Sequence, residues 1–282
     1  MARLISLAEA ISENVHDGDT IAMEGFTHLI PYAAGHEVIR QGKKDLFLIR
    51  MTPDILYDQL IGAGAARGMK FSWGGNPGVG SLHRFRDAVE NQWPRPLEIE
   101  EHSHAAMANA YEAGAANLPF AMLRGYIGAD LTKVNPNIRQ VTCPFTGEVL
   151  AAVPAIRPDV TIIHALRADR RGNVLIEGIV GVQKEAVQRA DARIAAPGEF
   201  HSARRTGTNQ LVVENIRRHA DQKQILFALP DHFMTGGIGN QVGEPLHGDG
   251  VAVMHVFGNG FSQRNQSRQG ILLLICHHNW RK

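Results

Sequence analysis

Short apolar runs alternate along the chain with stretches whose apolar residues recur every three to four positions. The runs predict strands and the stretches predict helices. The predicted strands are Thr20 to Phe26, Leu46 to Arg50, Met69 to Trp73, Ala121 to Arg124, Val149 to Val153, Val160 to Ala165, Val174 to Glu177 and Arg193 to Ala196. The predicted helices are Leu7 to Val15, Tyr32 to Arg40, Pro53 to Gly62, Ser81 to Asn91, His102 to Ala116 and Val182 to Ala190. This alternation predicts an α/β fold, an open and mostly parallel sheet with helices on both faces.

The alternation becomes irregular after Pro197. One clear apolar run, from Gln224 to Pro230, precedes a glycine-rich stretch at residues 235–250. We therefore predict one α/β domain over residues 1–196 and a divergent C-terminal region over residues 197–282.

Composition and charge narrow the class of protein. The 282 residues are 44% hydrophobic, enough for a substantial core, and the net charge is only +1. Because basic and acidic residues are spread evenly, no surface for nucleic acid or an anionic membrane is expected. Neither a signal peptide nor an apolar run of membrane-spanning length is expected from the sequence. With two distant cysteines, Cys143 and Cys276, a reducing cytoplasm is the expected location.

The first candidate site is the loop Gly25-Phe26-Thr27, which follows the first predicted strand. A glycine there lets the backbone approach a ligand, and the following N–H groups can face an anion or a developing oxyanion. Pro31 fits the first turn of the next helix, whose dipole would favour negative charge. A tight strand-to-helix turn without a ligand is the alternative.

A second glycine-rich loop follows the predicted strand Met69 to Trp73, and a helix with several basic residues comes after it. Such a loop suits a ligand bearing phosphate or carboxylate, although it matches neither a Walker loop nor a dinucleotide fingerprint. A plain long turn is the alternative. The candidate substrate-binding residues here are Gly74, Gly75, Asn76, Pro77, Gly78 and Arg84.

Histidines provide the remaining candidate chemistry. Ser103 is a suitable N-cap for the predicted alanine-rich helix, and His104 is a candidate acid/base or substrate-contacting residue. The His-x-His spacing lacks the support that a zinc site needs, so no metal is expected. His164 lies within an apolar run, where a hydrogen-bonded core histidine is the default. No Gly-x-Ser-x-Gly elbow is present, so the chain has no evident nucleophile.

Several segments, in order, resemble the alpha subunit of family I coenzyme A transferases, most closely the glutaconate and 3-oxoacid type. They are DGDTIAMEGFTHLIPYAAGHEVIRQG, WGGNPGVGSLHRFRDA, AGAANLPF, VPAIRPDVTIIHALRADRRGNV and QKEAVQRADARI. The resemblance covers about residues 1–195. It implies the open α/β sheet shared with ribose-5-phosphate isomerase-like proteins and a beta-subunit partner that carries the nucleophilic glutamate.

The resemblance also implies the chemistry. A CoA thioester is the substrate and no cofactor is bound, while Gly25, Phe26 and Thr27 line the active site at the subunit interface. The Gly74 to Gly80 loop is expected to close over the acyl or thioester region. An acyl-CoA hydrolase of the same fold and a non-catalytic assembly subunit remain alternatives.

This chain departs from the family pattern at four places. Glu24 replaces the first glycine of the usual Gly-Gly-Phe, so its carboxylate either faces substrate or points away along the strand. Pro77 replaces a serine of glutaconate-type subunits. His104 stands where a related ring-cleaving hydrolase has a glutamate, which favours the transferase. The region after Ala196 does not match, and either genuine divergence or a change of reading frame or fusion would explain it.

Overall fold

A parallel sheet forms the centre of the protein. The computed structural model describes residues 3–26, 29–75, 80–165, 167–168, 174–189, 192–197, 210–213, 225–229, 251–253 and 279–281. The strands are β1 (Arg3–Ser6), β2 (Thr20–Met23), β3 (Leu46–Ile49), β4 (Ala66–Phe71), β5 (Glu98–Glu101), β6 (Phe120–Leu123), β7 (Arg139–Thr142), β8 (Val149–Pro154), β9 (Val160–Ala165), β10 (Arg167–Ala168), β11 (Val174–Glu177), β12 (Ala192–Pro197), β13 (Gln210–Val213), β14 (Ile225–Leu229), β15 (Val251–Val253) and β16 (Asn279–Arg281). The helices are α1 (Leu7–Asn14), α2 (Tyr32–Arg40), α3 (Ile55–Gly62), α4 (His83–Glu90), α5 (His104–Ala115), α6 (Leu131–Val134) and α7 (Gln183–Arg189).

Eight strands form the main sheet in the order β1-β14-β12-β9-β2-β3-β4-β5, and each neighbouring pair is parallel. All four residues of β3 and all six of β9 are buried. Continuous burial of this kind is typical of a parallel strand covered on both faces. The predicted α/β class is therefore confirmed.

Helices cover the two faces of the sheet. Ile21 and Met23 of β2 belong to a core with apolar residues of α1 to α4, whereas Ala22 belongs to a second core with α5. Successive strand residues point to opposite faces, so this division follows from the strand itself. α5 is rich in alanine, and its single glycine lies close to the loop after β8: a Cβ on Gly114 would clash with the carbonyl oxygen of Ile156.

Smaller antiparallel sheets accompany the main one. β6, β8 and β7 form one, in that order, and Ala151 and Val153 of β8 pack in the same core as α5. β10, β11 and β13 form another, and β15 pairs with β16. After β5 the chain forms the sheet of β6, β7 and β8 before it returns to the main sheet with β9.

The predicted elements agree closely with the structure in the first half of the chain. The helix Tyr32–Arg40 matches residue for residue, whereas the first strand ends at Met23 and leaves residues 24–26 in a loop. β1, β5 and β7 were not predicted; β5 has the sequence EIEE, which lacks an apolar run. The division at residue 196 stays a prediction, although β14, within the apolar run at Gln224 to Pro230, lies inside the main sheet.

The strand order creates a crevice at the carboxyl edge of the main sheet. From β2 the chain proceeds through α2 to β3 on one side, whereas from β9 it proceeds to β12 on the other side. In open α/β sheets, ligands bind where the winding direction changes in this way. The switch lies between β2 and β9, and the loop that begins with Glu24 leaves β2 there.

Candidate active site

A buried arginine forms a hydrogen bond with the backbone of the loop after β2. Arg50, the residue that follows β3, donates a hydrogen bond from Nη2 to the Gly25 carbonyl oxygen at 2.7 Å. Gly25 is buried, and the Phe26 side chain is 40% exposed at the sheet edge. Thr27, the third predicted residue of this loop, lies outside the described residues.

Glu24 points into the protein. Glu24 lies two residues after Ala22, so its side chain points to the same face of the sheet, towards α5. Its Oε1 accepts hydrogen bonds from the Tyr111 hydroxyl of α5 at 2.7 Å and from the Met51 N–H at 3.0 Å. Burial raises the pKa of this carboxyl group, although the Arg50 charge and the hydrogen bonds act in the opposite direction. The sequence left open a carboxylate facing substrate or one pointing away along the strand, whereas the structure shows it bonded inside the protein to Tyr111 and Met51. A contact of Glu24 with substrate stays a prediction.

A second buried carboxylate pairs with Arg50. Asp54 Oδ2 lies 3.2 Å from Arg50 Nη2, and Asp54 also caps α3 by accepting from Leu56 N–H at 3.1 Å. Burial raises the pKa of Asp54 against the opposing effect of Arg50. The Arg50 guanidinium lies 5.5 Å from the ring centre of Tyr57, whose hydroxyl donates to Ile49 O at 2.8 Å and accepts from Met23 N–H at 3.1 Å. Tyr57 thereby ties the ends of β2 and β3 together.

The loop after β4 is held by main-chain hydrogen bonds to the loop after β3. The N–H groups of Ser72 and Trp73 both donate to Met51 O, at 3.1 and 3.2 Å, and Gly75 N–H donates to Pro53 O at 3.2 Å. The Trp73 side chain is 45% exposed and lies over Gly75, where a Cβ would lie 2.8 Å from the indole. A larger residue at position 75 would therefore require the exposed Trp73 ring to move.

Of the other residues predicted to bind substrate in this region, the structure describes only Gly74 and Arg84. Asn76, Pro77 and Gly78 lie outside the described residues. Gly74 is described, and a Cβ there would lie 3.1 Å from the Phe85 ring. Arg84 pairs with Asp87 at 3.0 Å and lies 5.1 Å from the ring centre of Trp93. These contacts hold Arg84 along α4 rather than at the loop, and a substrate contact stays a prediction.

His104 lies at the same edge of the sheet, at the first position of α5. Its Nε2 is 3.3 Å from the Thr52 hydroxyl, so the loops after β3 and β5 meet across the end of β4. The imidazole is exposed, whereas Ser103 caps the helix by accepting from Ala106 N–H at 3.2 Å. Ser103 thus caps the helix and leaves the His104 side chain exposed, and an acid/base or substrate-contacting role of His104 stays a prediction. His164 is buried in β9, as the apolar run predicted.

Sequence reasoning did not identify Arg50, Asp54, Tyr57 and Tyr111 as part of the site. The available signal was a charged residue directly after the apolar run LFLI, with an aspartate four positions later. Arginine is seldom buried unless it is paired. The position of Arg50 directly after a buried strand, with Asp54 four residues later, could therefore have indicated this ion pair. Tyr111 carried no signal within its alanine-rich helix.

The site offers hydrogen-bond donors, exposed aromatic rings and an imidazole, but its carboxylates at the β2 and β3 ends are buried and engaged. In the described part of the chain, no group of three or more His, Cys, Asp and Glu residues could hold a metal ion. Over the same residues, no helix has the length and apolarity needed to cross a bilayer.

Comparison with known proteins identifies the family. The coenzyme A transferase family model matches residues 4–220. The chain is 70% identical over 200 residues to the A chain of the 3-oxoadipate CoA-transferase of Pseudomonas knackmussii, and the match covers 71% of each protein. The crystal structure of glutaconate CoA-transferase from Acidaminococcus fermentans matches with a TM-score of 0.68 and 29% identity, over 81% of this chain and 76% of that one.

A further structural match concerns a different reaction. The decarboxylase AibA/AibB matches with a TM-score of 0.64 and 25% identity, over 82% of this chain and 84% of that one. A shared fold therefore does not define the reaction. The family model and the 70% identity to a CoA-transferase do define the family: this chain is an alpha-type subunit of the family I coenzyme A transferases.

Proposed function

We propose that this chain is the alpha subunit of a heteromeric enzyme that moves CoA from an acyl-CoA to a carboxylic acid through a glutamyl-CoA intermediate on a beta subunit. One observation carries the proposal: the Gly25-Phe26 loop stands at the switch point, while the carboxylates beside it, Glu24 and Asp54, are buried and hydrogen-bonded. A site with donors and without a free carboxylate nucleophile needs that nucleophile from a partner.

The proposed reaction has two balanced halves. The partner's glutamate oxygen attacks the acyl-CoA carbonyl carbon, and the C–S bond breaks to give an acyl-glutamyl anhydride and CoA thiolate. The thiolate then attacks the glutamyl carbonyl carbon, which releases the acid as its carboxylate and leaves a glutamyl-CoA thioester. An acceptor carboxylate reverses both steps, so no net proton is taken up or released.

This chain would supply positioning and oxyanion stabilisation. Each attack converts a carbonyl oxygen into an oxyanion, and backbone N–H groups of the loop after Gly25 are suited to receive it. The exposed rings of Phe26 and Trp73 provide apolar surface for the acyl and thioester portions. The imidazole of His104, linked to Thr52, is suited to donate to the carboxylate of the incoming acid.

We further propose 3-oxoadipate as the acceptor acid. Support comes from the 70% identity, over 200 residues, to a protein named for that reaction. An acid with two carboxylates would place one at the reacting centre and the other at a donor elsewhere in the assembled site.

The test is co-expression with the candidate beta subunit, followed by mass-detected transfer of CoA from a panel of acyl-CoA donors to a panel of free acids. Acceptor-dependent transfer, highest with 3-oxoadipate, is the expected result. Release of free CoA without any acceptor would instead establish a hydrolase. An assembled complex without either activity would establish an assembly role.

Gly25→Val tests the loop within this complex. A valine side chain at the buried glycine occupies space at the site, so we expect transfer to fall by about 10²-fold or more while the complex still assembles. Gly125→Val, the same substitution at an exposed loop glycine, is the control. Unchanged turnover of Gly25→Val would remove the loop from the mechanism.

A further inference from the structure

We propose that Arg50 is a positioning residue that turns the Phe26 N–H group out of the sheet edge and towards the reacting carbonyl. The inference rests on the proposed function and adds to it the residue that sets the direction of an oxyanion donor. Arg50 itself is buried, with a side chain that is only 1% exposed, so it acts through the loop and does not touch substrate.

The peptide that joins Gly25 to Phe26 has a defined orientation. Among the described residues only the Trp93-Pro94 bond is cis, so this peptide is trans. In a planar trans peptide the carbonyl and the following N–H point in opposite directions. Because the Gly25 carbonyl oxygen points inward to Arg50 Nη2 at 2.7 Å, the Phe26 N–H points outward.

The outward N–H is available for a ligand. Within the part of the chain that the structure describes, Phe26 N–H has no main-chain acceptor, and the Phe26 side chain is 40% exposed. The Gly25 carbonyl is held by Arg50, and the Phe26 N–H on the other side of the same peptide is the donor left for the reaction.

Arg50 can impose this direction because its own position is determined by several contacts. Asp54 pairs with it through both nitrogens, Nη1 to Oδ1 at 3.3 Å and Nη2 to Oδ2 at 3.2 Å, and Tyr57 lies against the guanidinium. A charge-assisted donor held in this way resists rotation of the peptide more than a neutral donor does. Lysine, a single charged group on a flexible stem, could not make both contacts with the same geometry.

Stability alone does not account for this arginine. Its Nε lies buried without a hydrogen-bond partner in the described structure, and an unsatisfied buried donor destabilises the fold. Buried ion pairs are often no more stable than apolar residues of similar size. The hydrogen bond from this arginine to the Gly25 carbonyl therefore points to a role in fixing the loop.

Arg50→Lys and Arg50→Met, each in the co-expressed complex, test the proposal. We expect kcat to fall by about 10²-fold in Arg50→Met and by a smaller factor in Arg50→Lys, because the loss of one oxyanion donor is felt in the transition state. KM for the acyl-CoA should change by less than about threefold in both variants. Leu60→Ala, a buried truncation on α3, serves as the matched control because it destabilises the same region without touching the arginine.

The outcomes are distinct. A loss of kcat at unchanged KM in assembled Arg50 variants, with normal kcat in Leu60→Ala at equal or lower stability, supports the proposal. Wild-type kcat in Arg50→Met overturns it, and so does an equal loss in Leu60→Ala. If neither Arg50 variant assembles, the role of Arg50 is structural and the proposal is also overturned. If the wild-type complex lacks transfer, the proposed function fails first, which separates the two results.

Discussion

Two charged clusters lie near the carboxyl ends of the strands of the main sheet, and their carboxyl pKa values are shifted in opposite directions. The inner cluster is Glu24, Arg50 and Asp54, at the ends of β2 and β3. The edge cluster is Lys70 of β4, Glu100 of β5 and His102, the residue that follows β5. Glu100 accepts from Lys70 Nζ and His102 Nε2, both at 2.9 Å. Each contains carboxylate and cationic groups within hydrogen-bonding distance, yet the carboxyl pKa values move in opposite directions.

Burial determines the direction of the carboxyl pKa shifts in the inner cluster, whereas hydrogen bonds and nearby charges determine it in the edge cluster. In the inner cluster two carboxyl groups share one guanidinium, and burial raises the pKa of both. Burial also acts to raise the pKa of Glu100, but the hydrogen bond from His102 and the charge of Lys70 outweigh it and lower the pKa to about 2. The ratio of cations to carboxylates and the access to water account for the difference.

The comparison separates a cluster that fixes a loop from one that stabilises a strand pair. The inner cluster holds the Gly25 carbonyl in place through Arg50, despite the unfavourable burial of its charges. The edge cluster joins β5, an otherwise polar strand, to β4, where Lys70 and Glu100 are direct neighbours in the register. Four tests of this separation follow, beginning with the largest expected effect.

Arg50→Met should reduce the free energy of unfolding by about 3–5 kcal/mol, because it leaves the buried carboxyl groups of Glu24 and Asp54 without a cation. Lys70→Met in the edge cluster should cost less, about 1–2 kcal/mol, since His102 still donates to Glu100. Chemical unfolding of the two variants under identical conditions measures the difference. Equal losses would show that the two clusters contribute alike.

Glu100→Gln should remove up to about 3 kcal/mol of stability at neutral pH, given its lowered pKa. The folded-state pKa of about 2 lies below the ordinary value of 4.5, so this contribution is complete above pH 4.5 and is lost as the pH falls towards 2. Unfolding measured at several pH values should therefore show the wild-type protein losing its advantage over that range. A constant difference across the range would refute the assignment.

Tyr111→Phe should reduce stability by about 1–3 kcal/mol at neutral pH, because Glu24 loses a buried hydroxyl donor at 2.7 Å. Glu24 has a raised pKa in the folded state, so lowering the pH protonates it and reduces its need for that donor. The effect of the substitution should therefore shrink as the pH falls, which unfolding titrations will detect. An effect that grew at low pH would contradict the inward placement of Glu24.

Glu98→Gln should have the smallest effect, less than about 0.5 kcal/mol. Glu98 lies on the same strand as Glu100 and pairs with Arg67 at 3.1 Å, but both side chains of this pair are more than a third exposed. Exposed ion pairs contribute little because water and salt screen them. Unfolding with and without added salt provides the measurement. A loss comparable to that of Glu100→Gln would show that burial does not distinguish the two pairs.

The parts of the fold that could be predicted are those determined locally. Buried strands such as LFLI and VTIIHA, and helices with regular apolar spacing such as Tyr32–Arg40, have clear patterns in the sequence. β5 has no such pattern, since its residues EIEE are stabilised by pairing with β4 and by Lys70. β1 has a short apolar run and depends on a neighbour far along the chain.

The candidate site shows the same limit. Glycine at position 25 marked the loop, and the helix pattern placed His104 near the start of a helix. The inward turn of the Gly25 carbonyl depends on Arg50, twenty-five residues later, and the orientation of Glu24 depends on Tyr111, eighty-seven residues later. Contacts across such distances are properties of the folded sheet, which no local window contains.

The position of β1 at the border of the main sheet also affects the order of folding. β1 pairs with β14, so Arg3–Ser6 meets Ile225–Leu229. During synthesis, β1 must wait until its distant neighbour has been made, whereas β2, β3 and β4 each gain one neighbour from the next strand of the chain. Folding of the central strands can thus precede closure of the border, and β14 is the strand whose arrival completes the sheet.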